Sequence, residues 1–166
     1  AGSISAYDKV GDNYILDEVI TSSTPVTNEQ VGVDISISSD GQELISTFNV
    51  GGASFVNGWY CWTRASGSWV QQSKIGSGIS NYIQKDCIKI SGNGLAAVFL
   101  EQVTSTGQAV LRIFTRASTA SAFTAPSTYY SVFDPSVLNT TSAKIDVSSD
   151  GSVIVVGSPH LSSGLG

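Results

Sequence analysis

ISISSDGQELIST (35–47), IKISGNGLAAVFL (88–100) and IDVSSDGSVIVVG (145–157) align on one dipeptide, Asp-Gly or Asn-Gly. In each, apolar residues alternate up to the dipeptide, and an alternating or wholly apolar run follows it. Asn-Gly and Asp-Gly supply the positive φ angles of a tight two-residue hairpin turn. The three segments therefore read as three antiparallel hairpins, strands A and B, with turns at Asp40-Gly41, Asn93-Gly94 and Asp150-Gly151.

A second element recurs downstream of the first two turns. GWYCWTRASGSWVQQSKI (58–75) and RIFTRASTASAFTAPS (112–127) share an aromatic residue followed by Thr-Arg-Ala-Ser, and read as strands C and D around a polar turn. The third hairpin has no such sequel, but ISAYDKVGDNYILDEVI (4–20) lies on WYCWTRASGSWVQQSKI (59–75) without a gap. That alignment places Tyr7 on Trp62, Lys9 on Arg64, Tyr14 on Trp69 and Ile20 on Ile75. Gly41 to Arg64 is 23 residues and Gly94 to Arg116 is 22; Gly151 has 15 residues to the last position, and Lys9 is ninth from the first. The pattern is three A-B-C-D repeats cut inside one of them. The expected divisions are 1–31 (second half of the split unit), 32–84, 85–142 and 143–166 (its first half).

Composition agrees. The 166 residues are 41% hydrophobic, enough for a core, and only 13% charged, with abundant Ser, Thr and Gly and no helix-favouring stretch, as expected of an all-β protein. A net charge of −5 with eight scattered Lys and Arg argues against a nucleic-acid partner. No apolar run reaches 18 residues, so no membrane span is expected, and AGSISAYDKV lacks the pattern of a signal peptide.

Four-stranded antiparallel repeats of this length are the signature of β-propeller blades, and propellers typically hold four to eight. Three blades per chain are too few to close. Two solutions remain: dimerisation to a six-bladed ring, with trimerisation to nine as a variant, or a longer propeller of which this chain is a piece. The complementary ends favour self-assembly, which also gives the closed symmetry usual in homo-oligomers. A lone copy would expose the apolar strand IVVG (154–157) and be prone to aggregate. The rival folds are a β-sandwich and a non-propeller β-solenoid.

The pattern apolar-S-x-S-x-DG-x-x-apolar, followed by (F/W)TR-x-GS-W-x-QQ-x-K-(I/L), resembles the blade repeat of the FG-GAP-like family of extracellular, cell-surface and viral proteins. The best matches are 35–41, 61–75 and 147–159. The resemblance implies a propeller and an extracellular or virion-associated location. It implies little about activity, because one fold hosts many functions. Integrin-like members bind calcium through DxDxDG loops; here the loops read SSDG, SGNG and SSDG, too poor in carboxylates for calcium, so no metal or other cofactor is expected.

No catalytic residues stand out. His160 is the sole histidine and reads as a loop residue, and there is no GxSxG elbow or zinc cluster. Asp8, Asp12, Asp17 and Glu18 read as a solvated face rather than a glycoside hydrolase's carboxylate pair. Cys61 and Cys87 read as small buried strand residues, a disulfide between neighbouring strands being the alternative. Asn139-Thr140-Thr141 fits the N-glycosylation pattern, meaningful only in a eukaryotic secretory pathway. Trp62, Phe114 and Tyr7 occupy equivalent places suited to inter-blade packing, and Lys9, Arg64 and Arg116 recur as cations suited to pairing with a neighbouring blade.

Trp59, Tyr60, Tyr82, Tyr129 and Tyr130 are not explained by the repeat, and with Arg64 and Arg116 they are the candidate ligand-binding residues. The functional expectation is a non-enzymatic assembly or recognition module whose partner is itself, with surface glycans or other proteins as further partners. The alternative is a multivalent lectin with pockets between blades; a glycoside hydrolase is the least supported.

Overall fold

The computed structural model describes residues 2–50, 58–76, 81–103, 109–124, 129–131 and 143–157, with side chains except at 76, 81–87, 102, 103, 109 and 129–131. The chain is all-β, with twelve strands and no helix among these residues. In chain order they form a hairpin, β1 (Ile4–Val10) and β2 (Asn13–Ile20), then a four-stranded sheet, β3 (Glu29–Ile37), β4 (Glu43–Val50), β5 (Gly58–Ala65) and β6 (Ser68–Gly76). A second four-stranded sheet follows, β7 (Asn81–Ile90), β8 (Ala96–Val103), β9 (Ala109–Thr115) and β10 (Tyr129–Ser131), and a last hairpin, β11 (Lys144–Val147) and β12 (Ile154–Gly157). All neighbouring strands are antiparallel. Strands β3 and β7 straddle the 31/32 and 84/85 divisions marked on the sequence.

The repeat is carried into the ladders. Ile37↔Leu44, Ile90↔Ala97 and Val147↔Ile154 are the same A-B pair three times, at the same offsets from the turn glycine. Leu44↔Trp62 and Ala97↔Phe114 are the same B-C pair twice. Hairpin β1-β2 pairs Ala6 with Glu18 and shifts register between Ala6 and Tyr7. At the aligned positions Cys61 pairs with Ser73, and the register shifts between Cys61 and Trp62.

The A-B turns differ from the expected two-residue turn. Ser38 N donates to Glu43 O and Glu43 N donates to Ser38 Oγ, so four residues, 39–42, form the loop, and only the glycine has a positive φ, 70° at Gly41, 73° at Gly94 and 79° at Gly151. The serine before the loop is the reason. Its hydroxyl bonds the acceptor oxygen of residue 40, 93 or 150 at 2.6–2.7 Å, and that oxygen also accepts the amide two residues on, at 3.0 Å in all three loops. This local side-chain bonding widens the turn. The tight two-residue turn is found instead between strands C and D, where Ser66 and Gly67 both have positive φ.

A second correction concerns 112–127. The stretch after Thr115 contains no strand through residue 124, and strand D is the short β10. Phe123 folds back instead, its ring 5.3 Å from that of Trp59 and edge-on to it.

Alternation along each central strand feeds two cores, one on either face. Trp59 and Cys61 face one core with Ile45, Ile88, Ile90, Phe99 and Phe114, while Tyr60 and Trp62 face another with Ile4, Ile20, Leu44 and Phe48. On β8, Ala97 and Phe99 join the first core, and Val98 and Leu100 face a third with Leu111, Ala143 and Ile145. The four sheets thus stack in sequence order, and the central strands of each four-stranded sheet are covered on both faces. The A-B turns stack with them: Ser39 N donates to Gly92 O at 3.0 Å, and Asn93 N to Ser149 O at 2.7 Å. A β-carbon on Gly92 would collide with Ser39 Oγ and Ser149 Oγ and come within 2.9 Å of Ser149 Cα. Gly92→Val is expected to cost about 1–3 kcal/mol of stability by overpacking, measured by urea unfolding; an unchanged midpoint would contradict the close stacking of the turns.

Candidate functional site

The recurring cation at the end of strand C binds the preceding sheet. Arg116 is buried, with Nη2 2.6 Å from Glu43 Oε2, Nε donating to Gly94 O at 2.8 Å and the guanidinium 4.4 Å above the Phe123 ring. Thr63 Oγ1 adds a second hydrogen bond to Glu43 Oε2 at 2.9 Å. Arg64 also reaches back one unit, but from a partly exposed position and to strands C and D of the outer hairpin, bonding Asp8 and reaching Asp17 Oδ2 at 3.0 Å. The hydrogen bond from Arg64 holds the Asp8 carboxyl below its ordinary value and pushes the guanidinium up. Lys9, the third member, is exposed on the outer hairpin.

A further polar group ties β3, β5 and β6. Tyr60 Oη donates to Glu29 Oε1 at 2.6 Å, Lys74 Nζ lies 2.8 Å from the same oxygen, and Ser22 Oγ donates to Tyr60 Oη at 2.9 Å. Burial pushes Glu29 up, but the bonds from Lys74 and Tyr60 outweigh it and leave the carboxyl below its usual range. Burial and the bond to Glu29 push the Tyr60 phenol up.

Of the candidate ligand-binding residues, Trp59, Tyr60 and Arg116 are interior, so these three side chains offer no surface to a sugar. Trp59 packs on Phe99 and Phe114 of the second sheet, Tyr60 is bonded to Glu29, and Arg116 is paired with Glu43. Arg64 is held by two carboxylates. The side chains of Tyr82, Tyr129 and Tyr130 lie outside the described residues, as do His160 and Asn139. Cys61 is a free buried thiol whose pKa burial pushes up to about 12; the Cys87 side chain is outside the described residues. In the turns, Asp40, Asn93 and Asp150 each accept bonds from their own loop. Among the described residues no group of three or more His, Cys, Asp or Glu is placed to hold a metal.

Sequence reading missed Glu29, Glu43 and Lys74. The available signal was phase: Glu43 shares a strand face with Ile45, where a charge requires a buried partner.

The two ends of the stack are unlike its middle. Hairpin β1-β2 turns Tyr7 outward, 57% exposed, whereas the aligned Trp62 is 1% exposed. Hairpin β11-β12 turns Val155 outward at 59%, whereas the aligned Ile45 is at 0%. Tyr14, Leu16, Val19 and Val153 are exposed on the same two end hairpins. Among the described residues β1 and β12 each have one ladder neighbour, while the aligned strands β5 and β4 have two.

No protein-family model, curated protein or solved structure matches this chain.

Removing one partner of the Arg116–Glu43 pair leaves a buried charge unpaired. Glu43→Leu is expected to cost about 3–5 kcal/mol in equilibrium unfolding; a loss below about 1 kcal/mol would show the pair to be solvated. Acid should also weaken the fold. Asp8, Glu29 and Asp40 have folded values below their ordinary ones, and Asp150 is lowered to about 2 by the Ser148 hydroxyl and by Ser152. Because these values are depressed, the stabilisation is present above the unfolded values and lost as pH falls through the folded ones. The urea midpoint should hold steady above roughly pH 5 and drop between about pH 4 and 2, and a flat profile across that window would contradict it.

Proposed function

We propose that the chain is a non-enzymatic structural module, three blades of a β-propeller with one blade divided between its two ends, which acts by closing into a six-bladed ring with a second copy. The reading is carried by one observation: large apolar residues are exposed at the outer faces of the end hairpins, at positions whose aligned counterparts are buried in the complete sheets. Tyr7 against Trp62 and Val155 against Ile45 are the clearest cases. A sheet with one bare apolar face and one unpaired edge is what a missing neighbour leaves behind. Side chains already half covered gain roughly 1 kcal/mol each on full burial, and this gain from several at each junction works against the cost of ordering two surfaces. Closure removes the exposed edges, which is how propellers manage them. The interior fate of Trp59, Tyr60 and Arg116 supports surface contact over pocket chemistry as the mode of action.

Val155→Lys tests the reading, because Val155 is exposed in the single chain and the substitution leaves the interior alone. In sedimentation velocity the variant is expected to run as a single chain where the unaltered protein runs as an assembly, with its far-ultraviolet circular dichroism unchanged. Equal sedimentation of the variant and the unaltered assembly would overturn the role of this face.

A further inference from the structure

A groove runs between β1 and the first four-stranded sheet. It has a volume of about 480 Å³ and is walled by Ser5, Ala6, Tyr7, Ile35, Ile37 and Leu44, with Asp40 and Gly41 at one end. Ile35 and Ile37 are 51% and 54% exposed, while the aligned residues of the second sheet, Ile88 and Ile90, are buried in the core shared with Ile45. What covers Ile88 and Ile90 is the A-B pair of the sheet before them. What Ile35 and Ile37 lack is therefore an A-B pair presenting an apolar residue at the position of Ile45. Hairpin β11-β12 is an A-B pair in the same register, and its residue at that position is the exposed Val155.

We propose, resting on the ring reading above, that this groove is filled by β11-β12 of a second copy, whose β12 adds antiparallel to β1. The register follows from the two complete sheets, which share one B-C pairing. Ile154 then stands opposite Tyr7, as Leu44 stands opposite Trp62. Val155 stands opposite Ala6, as Ile45 stands opposite Cys61, and Val156 opposite Ser5, as Ser46 stands opposite Tyr60. The faces agree: Ile154 and Val156 pack inward on their own second sheet, and Val155 points to the face that meets Ile35 and Ile37. The carbonyl of Ser39 takes the place held by those of Gly92 and Ser149 and accepts a turn amide from the second copy, continuing the chain of turn-to-turn bonds. The recognition is strand addition, with main-chain bonds giving affinity and alternate side chains giving register.

Cysteine pairs read the register directly, since residues facing each other across an antiparallel pair are within disulfide reach. One copy carries Ser5→Cys and a differently tagged copy carries Val156→Cys, both with Cys87→Ser; Cys61 is buried and stays a thiol. After mixing, mild oxidation is expected to give a covalent species of twice the chain mass holding both tags. The control pair, Ser5→Cys with Ile154→Cys, sits two residues out of register and is expected to give none. Assembly without the in-register link, or with equal linking of both pairs, overturns the junction and leaves the ring reading standing. Mixed copies that stay as single folded chains overturn both.

Discussion

A strand that is apolar on both faces cannot lie at a surface, and the structure follows from that constraint. In β5, Trp59 and Cys61 serve one core while Tyr60 and Trp62 serve the next, so the sheet built on β5 needs a neighbour on each side. The same holds for β8, where Phe99 and Leu100 point to opposite cores. Each sheet is thereby obliged to stack on another. Such a stack exposes apolar surface wherever a sheet lacks its neighbour. The two end hairpins have outer faces that carry Tyr7, Leu16, Val19, Val153 and Val155, which are not polar endings.

Charge placement reinforces the stacking order. Arg116 with Glu43, and Arg64 with Asp8 and Asp17, each join one unit to the one before it. The buried Arg116–Glu43 pair contributes little net stability compared with apolar packing, but it is costly to mismatch, and so favours one sheet against that face. Gly92 acts at the turns in the same sense, allowing three successive loops to approach closely enough for backbone bonds.

Much of this was legible in the sequence because the repeat is written in residues with strong local rules. The Asp-Gly and Asn-Gly dipeptides marked three hairpins, and the alignment of 4–20 with 59–75 is met by register shifts at equivalent places, between Ala6 and Tyr7 and between Cys61 and Trp62. The loop geometry was not legible from the dipeptide alone, since the Ser38, Ser91 and Ser148 hydroxyls decide it. Strand D of the second repeat was misplaced because TRAS repeats as text while Phe123 is drawn into the core by Trp59 and Arg116. The candidate site suffered most. Trp59, Tyr60 and Arg116 have the composition of a binding surface, and only three-dimensional stacking reveals them as interior contacts. Glu29 and Glu43 were hidden because a buried carboxylate is recognised by its partner, and both partners, Lys74 and Arg116, are distant in the chain.

In the proposed ring the stack closes through a second copy. Sedimentation equilibrium on the unaltered 166-residue chain measures that directly. Closure with a second copy is expected to give a single species of twice the 17.3 kDa chain mass, persisting on dilution. A stable, folded species at the mass of one chain would contradict it.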